Sequence, residues 1–279
     1  MNDKVIISCA LTGALTPKEK NPAVPYTPQE IADAAYACWQ AGAAVVHLHM
    51  RDDNGIGTMD KERFKESVRL IREHKDCDVV INCTSSGGFV TNEDDRMTHF
   101  VEVPDIEMGS FDIGSFNWGD TFVFDNNPSF LKKLCHVYNQ YDVKPEVEIF
   151  DYGMLGNAKH YIEKGYIKNP MWCQLVLGVL GGMDATVDNL LYLVRHLPEN
   201  AVWSATGIGT GHLPIMYAAL ALGGHIRVGL EDNLYMSRGE KATNPLMVER
   251  AVRIVKEFGK QPATPQEARE ILGVKTFVR

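Results

Sequence analysis

Along the chain, short apolar runs rich in β-branched residues alternate with longer stretches whose apolar positions recur at helical spacing. The strand-like runs fall near Val5 to Leu11, Ala44 to His49, Val79 to Cys83, Ile106 to Met108, Glu146 to Phe150, Gln174 to Leu177, Val202 to Ala205 and Ile226 to Leu230. Such alternation predicts a parallel sheet whose crossovers are helices. Helix starts support it. Thr27-Pro28-Gln29-Glu30 and Thr264-Pro265-Gln266-Glu267 each offer a capping Thr, a first-turn Pro and a Glu that closes a capping box, with Gly42 and Gly273 as stops. Asn127-Pro128 is expected to open the fourth helix, Asp184 the sixth and Asn244-Pro245 the eighth. Eight strand and helix pairs in about 260 residues match a closed (β/α)₈ TIM barrel, an α/β fold. An open doubly wound sheet, which more often uses five to seven strands, is the second choice.

Composition narrows this without redirecting it. With 279 residues, 45% hydrophobic and 23% charged, and no linker-like break, the chain is expected to form one catalytic domain over residues 1–279. A net charge of -8 offers no basic stripe for nucleic acid. The opening Met1 to Lys4, followed by a short apolar run, is too short and too acidic for a signal peptide, and no apolar run approaches membrane-spanning length. A soluble, cytoplasmic protein is expected. Cys9, Cys38, Cys77, Cys83, Cys135 and Cys173 are scattered and read as buried small hydrophobes, neither bridged nor ligating.

The sharpest chemical signal is Val45-Val46-His47-Leu48-His49-Met50-Arg51-Asp52. Strand residues alternate faces, so His47 and His49 point the same way, into the barrel, at the strand end where barrel enzymes place their sites. A lone histidine there is more often a hydrogen-bonded core residue, but a same-face pair favours an ion. Arg227-Val228-Gly229-Leu230-Glu231-Asp232-Asn233 ends the eighth predicted strand, adjacent to the first and one strand removed from the second. Glu231 can therefore complete a set of two His and one carboxylate with open positions for substrate. Zinc is favoured, although the same set also describes non-haem iron. A solvated acidic loop would explain Glu231 and Asp232 alone, but an arginine inside the mouth needs an anion, and Asp232 is the natural partner. Held ionised by Arg227, Asp232 would be a general base for a carbon-bound proton.

Three glycine-rich segments follow the third, sixth and seventh predicted strands: Thr84-Ser85-Ser86-Gly87-Gly88, Gly181-Gly182-Met183-Asp184 and Thr206-Gly207-Ile208-Gly209-Thr210-Gly211. Their amides would make anion sites around the mouth, though each alone is equally a set of tight turns. Ser85 or Ser86 as a nucleophile lacks an elbow motif. On the fifth strand Glu146 and Glu148 share the inward face; Glu148, nearer the mouth, is assigned to chemistry and Glu146 to a buried contact. Thr12 to Tyr26 and Gly109 to Asn127 are long connections of the kind that form lids. Lys18 and Lys20 on the first could meet phosphates, a solvated loop being the plainer reading. Phe111, Trp118 and Trp203 are candidate pocket aromatics.

Taken with Ile6-Ile7-Ser8-Cys9-Ala10-Leu11-Thr12-Gly13-Ala14 and Lys144-Pro145-Glu146-Val147-Glu148, these motifs make nearly the whole chain resemble the β-keto acid cleavage enzymes. The resemblance implies a homo-oligomeric, tetrameric zinc barrel that condenses a β-keto acid with acetyl-CoA, giving acetoacetate and a new CoA thioester. It implies zinc on His47, His49 and Glu231, a deprotonating pair of Arg227 and Asp232, and a substrate carboxylate on the turn Thr84, Ser85, Ser86, Gly87 and Gly88. Glu148 or Glu146 would be the further acid. The alternative is a zinc-dependent aldolase or hydrolase acting on a small carboxylate without CoA. An amidohydrolase is disfavoured because its His pair ends the first strand. A catalytically silent binding barrel would be expected to have lost a ligand or Arg227.

Overall fold

A computed structural model describes residues 3–88 and 90–275. Met1 and Asn2, part of the segment argued above to be no signal peptide, lie outside the described residues, as do both ends of the expected 1–279 domain. Eight strands close into a barrel, each parallel to the next in chain order: β1 Ile7–Ala10, β2 Val45–Leu48, β3 Val80–Cys83, β4 Met108–Asp112, β5 Lys144–Ile149, β6 Trp172–Leu177, β7 Val202–Gly207 and β8 His225–Val228. Strand β8 pairs with β1, Ile226 opposite Ile7 and Val228 opposite Cys9, which closes the ring. The fold is the expected TIM barrel, not the open sheet.

Two strand assignments need correction. The fourth strand is Met108–Asp112, not Ile106 to Met108. Hydrophobicity misplaced it because its inward residues near the mouth, Ser110 and Asp112, are polar, and they register against Glu146 and Glu148 of β5. The first expected strand divides: Lys4–Val5 pairs with Gln261–Pro262, separately from the barrel sheet that β1 joins.

The expected helix signals form caps. Thr27 and Thr264 make full capping boxes for α1 (Pro28–Ala41) and for a helix over Pro265–Leu272, and Gly42 and Gly273 close them in the left-handed conformation. Asn127 caps the helix Pro128–Gln140. The sixth helix, Val187–Arg195, is capped by Thr186 and not Asp184, and the eighth, Asn244–Glu257, by Thr243. Asn244 instead turns inward, accepting from Leu230 N at 2.8 Å and donating to Leu11 O at 3.0 Å. It thereby ties the loops after β8 and β1 together.

Pro265–Leu272 exceeds the eight expected pairs. Its Ala268 and Leu272 pack with Ile6, Val45, Val80, Met108 and Trp172 at the N-terminal ends of the strands. Each such buried aliphatic or aromatic side chain contributes ~1.5–3 kcal/mol. Arg269 reaches Glu107 at 2.6 Å and Arg72 reaches it at 2.7 Å, so this buried carboxylate is charge-compensated. One barrel end is thus sealed for stability, leaving the other for chemistry.

At the open end, the connection after β1 carries no regular structure from Leu11 to Thr27 and is fastened by Arg51. The buried guanidinium donates to Gly13 O at 2.7 Å, Thr16 O at 3.0 Å and Gly55 O at 2.8 Å, and lies over Tyr26. The second long connection begins later than expected, since Gly109 to Asp112 is strand; it carries a hairpin, Phe116–Trp118 with Phe122–Phe124. Among the described residues no helix is long and apolar enough to cross a membrane. All six cysteines are buried.

Candidate active site

Barrel register sets the site out in layers. His47 lies opposite Ala10 and Asn82, Arg227 opposite Ser8, and Glu148 opposite Asp112 on one side and Gln174 on the other. One pocket at the C-terminal ends of the strands takes in His47, His49, Thr84, Glu148, Arg227, Glu231 and Asp232.

Glu231 and Asp232 reach the mouth because the chain turns sharply after β8. Gly229 has φ +135°, and a Cβ there would lie 2.0 Å from the Ala10 carbonyl oxygen, so glycine alone fits. Gly13 on the facing loop, at φ +65°, is also constrained, since a Cβ would lie 2.8 Å from Glu231 Cγ. The backbone is thereby brought close enough for Glu231 to face both imidazoles.

His47 Nε2 lies 3.8 Å from Glu231 Oε1, and His49 Nε2 lies 3.6 Å from Glu231 Oε2. Burial pushes the pKa of both histidines down, with Arg227 adding to the effect on His47 and Glu231 partly opposing it on His49. Neutral imidazoles form no ion pair with a carboxylate, yet they are the state that ligates metals. The separations exceed a hydrogen bond but approach the roughly 3.4 Å between two ligands held 2.0–2.2 Å from a tetrahedral ion. Glu231 Oε2 is buried without a hydrogen-bond partner among the described residues, a costly state that a cation would relieve. All three ligand atoms lie within 4.8 Å of one another. The donor set therefore fits one divalent ion.

Beside it, Arg227 forms a fork on Asp232, Nε to Oδ2 at 2.9 Å and Nη2 to Oδ1 at 3.0 Å. Nη2 also donates to Glu231 Oε1 at 2.6 Å, so the arginine joins Asp232 to the carboxylate that faces the two imidazoles. Burial works against the guanidinium charge, but Asp232, Glu231 and Glu148 outweigh it and hold Arg227 firmly protonated. Thr206 Oγ1 donates to Asp232 Oδ2 at 3.1 Å, giving the aspartate a second anchor from β7.

Glu148 and Glu146 separate as their depths suggested. Glu146 Oε2 accepts from Asn82 Nδ2 at 3.0 Å and Trp172 Nε1 at 2.9 Å, within the barrel. Glu148 lies in the pocket with Oε1 3.5 Å from Arg227 Nη1. Burial, and then Asp112 opposite it, pushes Glu148 well above the usual carboxylate range.

Asp112 was missed because β4 was placed too early. It lines the pocket, and burial pushes its pKa up to about 6. A carboxyl with a raised folded pKa binds its proton more tightly folded than unfolded, so its contribution falls as pH rises from about 4 to about 6. Asp112→Asn is therefore expected to raise the melting temperature by a few degrees at pH 7.5 and to leave it unchanged or lower at pH 4. Thermal melts at the two pH values check this; an equal shift at both would show that the charge is not responsible.

The turn after β3 divides. Thr84, Ser86 and Gly88 line the pocket, whereas Ser85 is buried beneath it, its N–H donating to Ser110 Oγ at 3.0 Å. Gly87 packs outward, where a Cβ would lie 2.7 Å from Val90 and 2.9 Å from Met59. Two residues hidden in the amphipathic pattern of the helix Asp95–Glu102 grip this turn from behind. Arg96 Nε donates to Ser85 O at 2.7 Å, and His99 Nε2 lies 3.0 Å from Thr84 O. Arg96 also donates to Asp125 O at 2.9 Å, joining the turn to the base of the hairpin. Of the candidate aromatics Trp118 lines the pocket, Phe111 lies in the core near Tyr138 and Tyr161, and Trp203 packs close to Gly224. Lys18 is paired with Glu30 at 2.6 Å.

A sequence profile for β-keto acid cleavage enzymes matches residues 4–274. The chain belongs to the β-keto acid cleavage enzyme family. A 3-keto-5-aminohexanoate cleavage enzyme from Fusobacterium nucleatum is 41% identical over 99% of this chain and 100% of its own length. A 3-dehydrocarnitine:acetyl-CoA trimethylamine transferase from Rhizobium meliloti is 36% identical over 98% of this chain and 97% of its own. Among solved structures, a binary complex of ObcA with oxaloacetate superposes with TM-score 0.81 at 20% identity, over 91% of this chain and 68% of that one, a likeness of fold. This member of the β-keto acid cleavage enzyme family is thus an enzyme with the family barrel.

Proposed function

We propose that the protein condenses a β-keto acid with acetyl-CoA to give acetoacetate and a new CoA thioester, using zinc held by His47, His49 and Glu231. The observation that carries this reading is the Arg227–Asp232 fork set directly against the His-His-Glu cluster. A bound zinc ion supplies Lewis acidity toward the keto and carboxylate oxygens of the substrate, which makes the C2 proton acidic. The turn Thr84 to Gly88 takes the carboxylate, through Thr84, Ser86 and the backbone in preference to the Ser85 and Gly87 side positions.

Asp232, aimed by Arg227 and Thr206, takes the C2 proton. The electron pair left on C2 attacks the thioester carbonyl of acetyl-CoA and expels the CoA thiolate. That thiolate adds to the original keto carbon, the C2–C3 bond breaks, and Asp232 returns the proton to C2 as acetoacetate leaves. Glu148, its pKa pushed up by burial, stands beside Arg227 where it can exchange a hydrogen bond with the substrate. An aldolase or hydrolase would use the same centre without a thioester. Incubation with a panel of β-keto acids separates the readings: acetoacetate and a new acyl-CoA are expected only when acetyl-CoA is present, and cleavage without it would favour the alternative.

We further propose that one-domain chains work in the cytoplasm and assemble as the homotetramer that the family resemblance implies; light scattering at a mass other than four chains would contradict the assembly.

A further inference from the structure

The pocket is chemically divided, and the division follows the barrel register. The candidate ion-binding residues and the Arg227–Asp232 fork come from the β8 and β2 side, with Thr84 from the end of β3, while Asp112 and Glu148 add two carboxyls at the floor of the opposite side. On the other side, the layer above Glu148 and Gln174 is apolar. Gln174 is opposite Glu148, so Val176, two residues further along β6, stands at the height of Phe150. Val176 in turn is opposite Thr206, whose hydroxyl belongs to Asp232, and the boundary falls between them.

Above this layer the hairpin after β4 closes the apolar half. Trp118, Phe122 and Phe124 line the pocket, with Trp118 stacked on Phe122 at 6.0 Å and edge-on to Phe124 at 6.0 Å. Phe150 continues the surface, 6.3 Å from Trp118, and Ile208 adds to it from the loop after β7.

Resting on the reaction proposed above, we infer that the substrate is a β-keto acid whose far end is an uncharged aliphatic group seated on Trp118, Phe122, Phe124, Phe150, Val176 and Ile208. Three arguments select this class. The carboxylate and keto groups belong at the ion and the Thr84–Gly88 turn, which directs the rest of the molecule across to the opposite half. A tail ending in a second carboxylate would need a cation, and among the described residues lining the pocket the one guanidinium, Arg227, is already committed to Asp232, Glu231 and Glu148. A tail ending in an ammonium would lose its water against a wall of hydrocarbon, because Asp112 and Glu148 lie in the layer below, opposed to each other beside Arg227. An aliphatic tail gains from the same wall, where a single methylene changes discrimination by about tenfold or more.

The test compares three β-keto acids of equal chain length, ending in a branched aliphatic group, an ammonium or a carboxylate, each with acetyl-CoA and zinc-loaded protein. The aliphatic acid is expected to have a kcat/KM at least about tenfold above either charged one. Val176→Asp is expected to lower kcat/KM for the aliphatic acid and raise it for the ammonium acid. Ile208→Glu, at a half-buried loop position, serves as a second variant should Val176→Asp fail to fold. A charged acid turned over as well as or better than the aliphatic one overturns this inference while leaving the acetyl-CoA reaction standing. Acetoacetate from none of the three overturns both. Unchanged preference in a folded wall variant shows that the tail does not lie on this surface.

Discussion

His47→Ala is expected to lower turnover by at least roughly a thousandfold, on the order of 4 kcal/mol of transition-state stabilisation. The imidazole is buried with its pKa pushed down, and it belongs to the His47, His49 and Glu231 group whose candidate ligand atoms lie within 4.8 Å of one another. Removing it leaves an ion two protein ligands, and Glu231 Oε2 loses part of the arrangement that would relieve its burial. Glu231→Gln is expected to have a comparable effect with less change in volume, so it separates lost ligation from a simple cavity. Metal content measured with turnover checks both: loss of zinc and activity together is the expected result. A His47→Ala protein that turns over at the original rate would remove the ion from the mechanism.

The second large effect concerns the fork, where the two partners are expected to fail differently. Asp232→Asn keeps size and one hydrogen-bond acceptor for Arg227 but no longer accepts the C2 proton, so kcat is expected to fall about 10²–10⁴-fold with zinc still bound. Arg227→Met strands Asp232 and Glu231 together in a buried site without their common counter-charge. Breaking a buried pair in this way costs about 3–5 kcal/mol, so lost stability is expected alongside lost activity. Urea unfolding and steady-state kinetics on the two variants distinguish the cases. Equal destabilisation would mean that Asp232 is there to neutralise Arg227 and not to move a proton.

The sequence made the ligand face legible because strand parity is strict. Two histidines separated by one residue in a β-branched run have to share a face, and the order of strands in a closed barrel brings the end of β8 near the end of β2. Arg227 was legible for a different reason: a buried guanidinium requires an anion, and Asp232 was at hand. What escaped notice was polar in places where apolarity was the guide. Ser110 and Asp112 interrupt the hydrophobic run of β4, which pulled the predicted strand toward Ile106 and hid a pocket carboxyl. Arg96 and His99 lie on a helix, and nothing local distinguishes a solvated helical arginine from one that reaches under it to a turn. Ser85 and Gly87 were grouped with their neighbours because a turn's side-chain directions depend on dihedral angles that composition does not encode.

One divalent ion, held by the C-terminal end of β2 and the turn after β8, is proposed to be required for the chemistry. This requirement is tested most directly by stripping the protein with a chelator and titrating zinc back while following acetyl-CoA-dependent acetoacetate formation. Activity lost on stripping and regained linearly up to one zinc per chain is the predicted result. Full activity in stripped protein, or zinc bound with the same stoichiometry when His47 and His49 are both replaced by alanine, would contradict it.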